Sequence, residues 1–282
     1  MPEAYAVWLD RDTVKAGGPE AAEFLQGQLS QDVLRLDEGQ SAWSWVLAPQ
    51  GKIDALVRVT RLPADDWLLD TDLGWGDALA QRLNRFKLRT KVEIEKVDWR
   101  VLGLRGDEAR TAGEPANSLA VAPWPHVEGI DMIGPQPSVP DGWNVITDSE
   151  NEAARILSGM PKMGAELDEK TMPAETGLVP LTVSFTKGCY TGQELVARVD
   201  SRGSNVPRRL RLMHASSPIE PGAELVLETG AVAGTVTSAA REPSGSWVAL
   251  GFTKRGVELP VTLLARTEGS DLVEVGVEEL PV

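Results

Sequence analysis

Residues 184–198 read SFTKGCYTGQELVAR, and Cys189 is the only cysteine of the 282-residue chain. The thiol stands two residues after Lys187, between Gly188 and Tyr190, and just ahead of the helical pattern YTGQELVARV. Projected at about 100° per residue, Gly192, Leu195, Val196 and Val199 share one apolar stripe. Cys189 and Gln193 fall at its edge, while Glu194 can pair with Arg198 one turn on. A sulfur at a helix N-terminus sees unpaired backbone N–H groups, and the Lys187 ammonium adds positive charge. Both favour the thiolate, the reactive form. Gly188 and Gly192 let the backbone come close to a ligand or a neighbouring strand. A small buried hydrophobe with a packing glycine explains the same residues, and no histidine lies nearby to act as a base. The residues by themselves leave both readings open.

The rest of the composition narrows the chemistry. A single cysteine forms no internal disulfide, and with only His126 and His214 beside it a closed metal site is not expected. The net charge of −14 sets up a field that repels nucleic acid and anionic membranes. An anionic ligand would need a local basic cluster, and RVDSRGSNVPRRLR, from Arg198 to Arg211, offers one; a solvated strand edge is the plainer alternative. The opening residues lack a basic region followed by an apolar run, and no segment nears the roughly 18 apolar residues of a membrane helix. A soluble, cytoplasmic protein is expected.

These residues must be positioned by a mixed α+β framework. Pro19 and the spacing of Ala22, Leu25 and Leu29 predict a helix ending near Ser30. SAWSWVLAPQGKIDALVRVTRL reads as strand, turn and strand about Pro49-Gln50-Gly51, with DDWLLDTD as a further arm and GWGDALAQRLNRFKL as a helix. KVEIEKVDWRVLGLRG returns to strand alternation, residues 107–142 look like irregular connection, and NEAARILSGMP is a short helix. There is no Rossmann or P-loop signature. From about Arg208, RRLRLMHA, AELVLE, AVAGTVTSAA, WVALGFTK, VTLLAR and LVEVGVEEL are six strand-like runs without a helix, which suggests a small β-barrel. The expected division is 1–205, with an internal boundary near 100–115, and a C-terminal barrel over 206–282.

KGCYTGQE (Lys187 to Glu194) resembles the signature of the YgfZ-type folate-binding proteins, in the superfamily of the glycine-cleavage T-protein, an aminomethyltransferase. FLQGQLSQDV, APQGKIDALV, RFKLRTKVEI, GMPKMGAELDEKTMPAETGL and GTVTSAA resemble further family segments in the same order, so the likeness runs along nearly the whole chain. It implies two interleaved α/β lobes and a small β-barrel in a cloverleaf around a central tetrahydrofolate site. It also implies support for the assembly or repair of iron–sulfur enzymes, whose clients or cluster-assembly proteins would be the partners. Within it Cys189 is the functional thiol, and Asp54 matches the acid that assists folate chemistry in T-proteins. Lys187 would face the folate or its polyglutamate tail, with Gly188, Tyr190, Gln193, Glu175 and Arg198 as the other folate-binding candidates.

The sequence departs from the T-protein pattern in two places. GKIDAL keeps Asp54 but has Ala55 where T-proteins carry a second acid, and RILSG puts Leu157 where a glutamate would hold the pterin. A leucine cannot accept the paired N–H donors of a pterin, so Glu166 or Glu175 would have to replace it. These changes count against a T-protein-like aminomethyl or methyl transferase, the first alternative. The second alternative is a partner-binding module that has lost folate. Trp43 and Trp45, alternating on one strand near Asp54, read as core, with pterin stacking as the sharper alternative. His126, beside Pro125, reads as structural or surface.

Overall fold

The rapid alternation of strand signals in the first hundred residues arises because the chain builds two sheets at once. A computed structural model describes residues 4–110, 118–203, 205–266 and 272–281. Strand β1 (Tyr5–Leu9) starts one sheet, and the chain then leaves at Asp10 to build the other from β2 (Arg11–Gly17), β3 (Ser41–Leu47), β4 (Ile53–Arg61), β5 (Trp67–Asp72) and β6 (Glu93–Val97). That second sheet has the order β3-β4-β5-β2-β6 and is antiparallel throughout. Helix α1 (Ala21–Gln28) follows β2, and α2 (Gly76–Phe86) follows β5.

The chain returns to the first sheet with β7 (Arg100–Arg105), β8 (Leu119–Val121), β9 (Gly129–Gly134) and β10 (Asn144–Ile146), in the order β10-β1-β7-β9-β8. The stretch 107–142, expected to be irregular, therefore contains two paired strands. β8 has only three residues, and β9 starts and ends on glycine, which hides their alternation; residues 111–117 of that stretch lie outside the described residues. Helix α3 (Asp148–Leu157) starts on a capping box between Thr147 and Glu150 and stops before Gly159, whose φ is +71°. Two more helices, α4 (Val179–Thr182) and α5 (Gln193–Ser201), precede the C-terminal region.

All six late strand-like runs are strands of one closed barrel. They are β11 (Arg208–Ala215), β12 (Glu224–Val226), β13 (Val232–Arg241), β14 (Trp247–Lys254), β15 (Val261–Arg266) and β16 (Val273–Glu278), in the order β11-β14-β13-β12-β15-β16. With two interleaved sheets and a closed barrel, the α+β class expected from the sequence is the observed one.

Several hydrophobic cores hold these layers. Tyr5, Val7, Trp43, Trp45, Leu56 and Ile133 pack between the two sheets, and Trp45 is fully buried. The tryptophan pair is thus core. The opposite face of the second sheet, including Val57 and Trp67, packs on Phe24 and Leu25 of α1 and Leu79 and Leu83 of α2. The barrel closes on Met213, Leu225, Val236 and Val275, and Ala153 and Ile156 of α3 join its outer face at Leu210 and Leu250. A buried chain of charges also crosses between the sheets. Arg58 on β4 bonds Asp70 at 2.9 Å and Asp131 of β9 at 2.6 Å, while Arg11 bonds Asp70 and Arg105 pairs with Asp131.

Candidate functional site

The segment around Cys189 folds as a strap across the end of α1. Ser30 Oγ donates to the Thr182 carbonyl at 2.7 Å, Gln31 Nε2 to the Leu181 carbonyl at 2.9 Å, and the Ser184 N–H to the Ser30 carbonyl at 3.0 Å. Lys187 Nζ then donates to the carbonyls of Gln26, Leu29 and Gln31, at 2.6, 2.7 and 3.0 Å. Past the exposed pair Gly188–Cys189, the Thr191 N–H donates to the Gly27 carbonyl at 3.1 Å. The Tyr190 ring turns back into the core, 5.1 Å from Lys187 Nζ. The strap is pinned on both sides of the thiol, and the sulfur stands at its exposed crest.

The same end of α1 is tied to Asp54. Arg82 of α2 donates Nε to Asp54 Oδ2 at 2.7 Å, Nη1 to Gln28 Oε1 at 3.1 Å and Nη2 to the Leu47 carbonyl at 2.8 Å. Its guanidinium also lies 3.6 Å from the centroid of the Phe86 ring. The turn before Asp54 meets the strap directly, because a Cβ on Gly51 would lie 3.2 Å from the Gly192 carbonyl oxygen. Asp54, through Arg82 and Gln28, and the strap, through Gly27, are thus both tied to the end of α1, and the 48–52 turn touches the base of the strap at Gly192.

Several expectations need correction. Cys189 is not at the start of a helix: α5 begins at Gln193, and Gly192 precedes it with a left-handed φ of +84°. YTG forms a turn, because that glycine conformation interrupts the helical spacing. Lys187 does not face outward beside the sulfur; it is buried, with its ammonium among backbone carbonyls. Burial pushes it down to about 8, although Asp32 acts in the opposite direction. Tyr190 is buried as well, its hydroxyl has no hydrogen-bond partner, and burial pushes it up to about 12. The basic run after the strap is not a free cluster. Arg198 pairs with Glu194 as the helical spacing foresaw, Arg208 with Glu175, and Arg211 with Glu279; Ser204 of that run lies outside the described residues.

The acids proposed to replace the pterin carboxylate are also engaged. Glu166 accepts from Thr237 Oγ1 at 2.7 Å, Ser238 Oγ at 2.6 Å and the Lys162 N–H at 2.9 Å, and pairs with Arg155. It fastens the α3 region to the barrel. Glu175 accepts from the Met172 N–H and from Arg208. Leu157 packs against the barrel's outer face. Every buried carboxylate among the described residues (Asp12, Asp70, Asp72, Asp131, Glu166 and Glu175) already has a donor or a cationic partner. Gln193 is half-buried beside Gly192, and a Cβ at Gly188 would meet nothing within 4 Å. Gly188 thus leaves open space next to the thiol.

Sequence reasoning missed Arg82 and the carbonyls of Gln26, Leu29 and Gln31. The glutamine- and glycine-rich end of FLQGQLSQDV was the available sign of a helix end with groups to satisfy. Among the described residues no cluster of His, Cys, Asp and Glu could hold a metal ion, and no helix is long and apolar enough to cross a membrane.

Comparison with known proteins adds to this geometry. No family model matches the chain. The mouse protein named "Iron-sulfur cluster assembly factor IBA57, mitochondrial" is 31% identical over 265 residues, covering 79% of this chain and 71% of that protein. The "tRNA-modifying protein YgfZ" of Cronobacter sakazakii is 28% identical over 294 residues, covering 94% and 88%. Among solved structures, the glycine cleavage system aminomethyltransferase T from Bartonella henselae superposes with a TM-score of 0.82 at 20% identity, covering 99% of this chain and 86% of that one. That likeness is one of fold.

Proposed function

Because the chain belongs to the YgfZ/IBA57 family, we propose that it is a cytoplasmic accessory protein supporting the assembly or repair of iron–sulfur enzymes, with Cys189 as its working thiol and tetrahydrofolate as its ligand. The observation that carries this reading is the strap, which pins both flanks of the sulfur and leaves the sulfur itself exposed. An exposed, fixed thiol suits chemistry on a second macromolecule, since a partner can reach it without the fold opening. A thiol kept only for packing would be covered. The partners are then client iron–sulfur enzymes or cluster-assembly proteins, and neither nucleic acid nor membrane suits a chain of net charge −14.

Of the polar groups around the strap, Gln193 is half-buried, Asp54 is paired with Arg82, and the unpartnered Tyr190 hydroxyl is buried. They offer no free buried carboxylate to the N–H donors of a pterin, which counts against aminomethyl transfer. The pairing of Asp54 with Arg82 supports a structural role for it over that of a free base. The test is complementation: Cys189→Ala should fold normally and fail to restore iron–sulfur enzyme activity in cells lacking the gene. Full restoration contradicts the thiol's role.

The engagement of every buried carboxylate among the described residues favours a second reading, a partner-binding module that has lost folate. Calorimetric titration with tetrahydrofolate separates the two. Saturable binding supports the first, and no binding at accessible concentrations supports the second.

A further inference from the structure

We infer that Lys187 is the anchor of the strap, a positioning residue that fixes where Cys189 is presented, and not a contact for a ligand carboxylate. An ammonium has three N–H donors and no acceptor. Here three carbonyl oxygens, of Gln26, Leu29 and Gln31, lie within 2.6 to 3.0 Å of it. Donors and acceptors match one to one, so no N–H is left to offer a ligand.

Of those acceptors, Gln26 lies in the last turn of α1, Leu29 is its C-cap and Gln31 follows just beyond it. The C-terminal turn of a helix leaves its last carbonyls without intrahelical partners, and the negative end of the helix dipole lies there. α1 has no basic residue of its own in its last turn. Lys187 supplies that charge across the fold, from 156 to 161 residues further along the chain. The Ser184 and Thr191 N–H bonds to Ser30 and Gly27 bracket it. Two residues of backbone span at most about 7 Å, so the sulfur cannot stray far while the ammonium is held. Without the ammonium, the crest keeps only its outer bonds.

The functional consequence rests on the proposed role of the thiol; the anchoring itself does not. The first experiment uses the wild-type protein: acetic anhydride footprinting of lysines by mass spectrometry, with and without tetrahydrofolate. Lys187 should be modified at least tenfold more slowly than the exposed Lys254, whether or not the folate is present. Modification as fast as Lys254, or protection that depends on tetrahydrofolate, overturns the inference. The second uses Lys187→Met, which keeps the apolar stem and removes the donors. Amide exchange at Thr191 should rise at least tenfold while exchange at Leu212 in the barrel stays within twofold, a split that a general loss of stability would not produce. Complementation by this variant should fall at least threefold although Cys189 is intact. Unchanged exchange at Thr191, or full complementation, overturns the positioning role. If the variant does not fold, the footprint decides alone. Failure of Cys189→Ala to abolish complementation would instead remove the accessory reading and leave the exchange result standing.

Discussion

Gly192 sits so tightly on Gly51 that a Cβ added to it would lie 3.3 Å from the Gly51 Cα, 2.8 Å from the Leu47 Cβ and 2.7 Å from the Ala48 carbonyl oxygen. Both glycines have positive φ, +84° at Gly192 and +71° at Gly51. Here the turn that leads to Asp54 meets the base of the strap that carries Cys189.

Gly192→Ala should therefore be strongly destabilising. A left-handed backbone costs a side-chain-bearing residue about 1–2 kcal/mol, and overpacking adds about 1–3 kcal/mol. Gly188, with open space around it, is the control, and Gly188→Ala should change stability by less than about 0.5 kcal/mol. Urea midpoints of the two variants check this, and a tolerated Gly192→Ala would mean the contact yields easily.

The buried lysine predicts a pH signature. Burial lowers Lys187 from 10.5 to about 8 in the folded protein. The unfolded chain then holds the proton more tightly, so stability should rise with pH from about 8 towards 10 as the folded form sheds it. Lys187→Met lacks this component. The difference in unfolding free energy between wild type and variant, measured at pH 7.5, 9 and 10, should grow in favour of wild type.

The charge chain between the sheets predicts a large effect from one arginine. Arg58→Met takes from the buried Asp70 and Asp131 the cation they share, and breaking a buried pair typically costs about 3–5 kcal/mol. Burial alone would raise the Asp131 pKa, but Arg105 and Arg58 hold it below the ordinary value. Its contribution is therefore present above the unfolded carboxylate pKa and is lost as pH falls through the folded one. Wild type should lose stability on acidification below pH ~4 more steeply than Asp131→Asn, as followed by chemical denaturation.

The barrel was plain in the sequence because its six strands are consecutive in the chain and separated by glycine and proline breaks. The interleaving was less plain: β1 and β7 are paired neighbours with the whole second sheet between them in the chain, and local alternation carries no trace of which sheet a strand joins. β8 was hidden by its three-residue length and β9 by the glycines at both its ends and the buried Asp131 within it. At the site, the residue types around Cys189 were legible but their directions were not. One left-handed glycine at 192 moved the thiol off the helix. Three carbonyls from a distant segment turned Lys187 inward, and the acids at 166 and 175 were taken up by residues 33 to 72 positions later. Long-range satisfaction of buried polar groups decides such orientations, and a single sequence does not display it.

The central claim is that the exposed sulfur at the crest of the strap is what the protein contributes to iron–sulfur enzymes. Cys189→Ser tests it most directly, since it nearly keeps the side chain's shape at an exposed position and replaces the nucleophilic sulfur with oxygen. The measurement is the activity of an iron–sulfur enzyme in cells lacking the gene and expressing this variant at the wild-type soluble level. The account predicts activity near that of the empty-vector cells, whereas activity equal to wild type would contradict it.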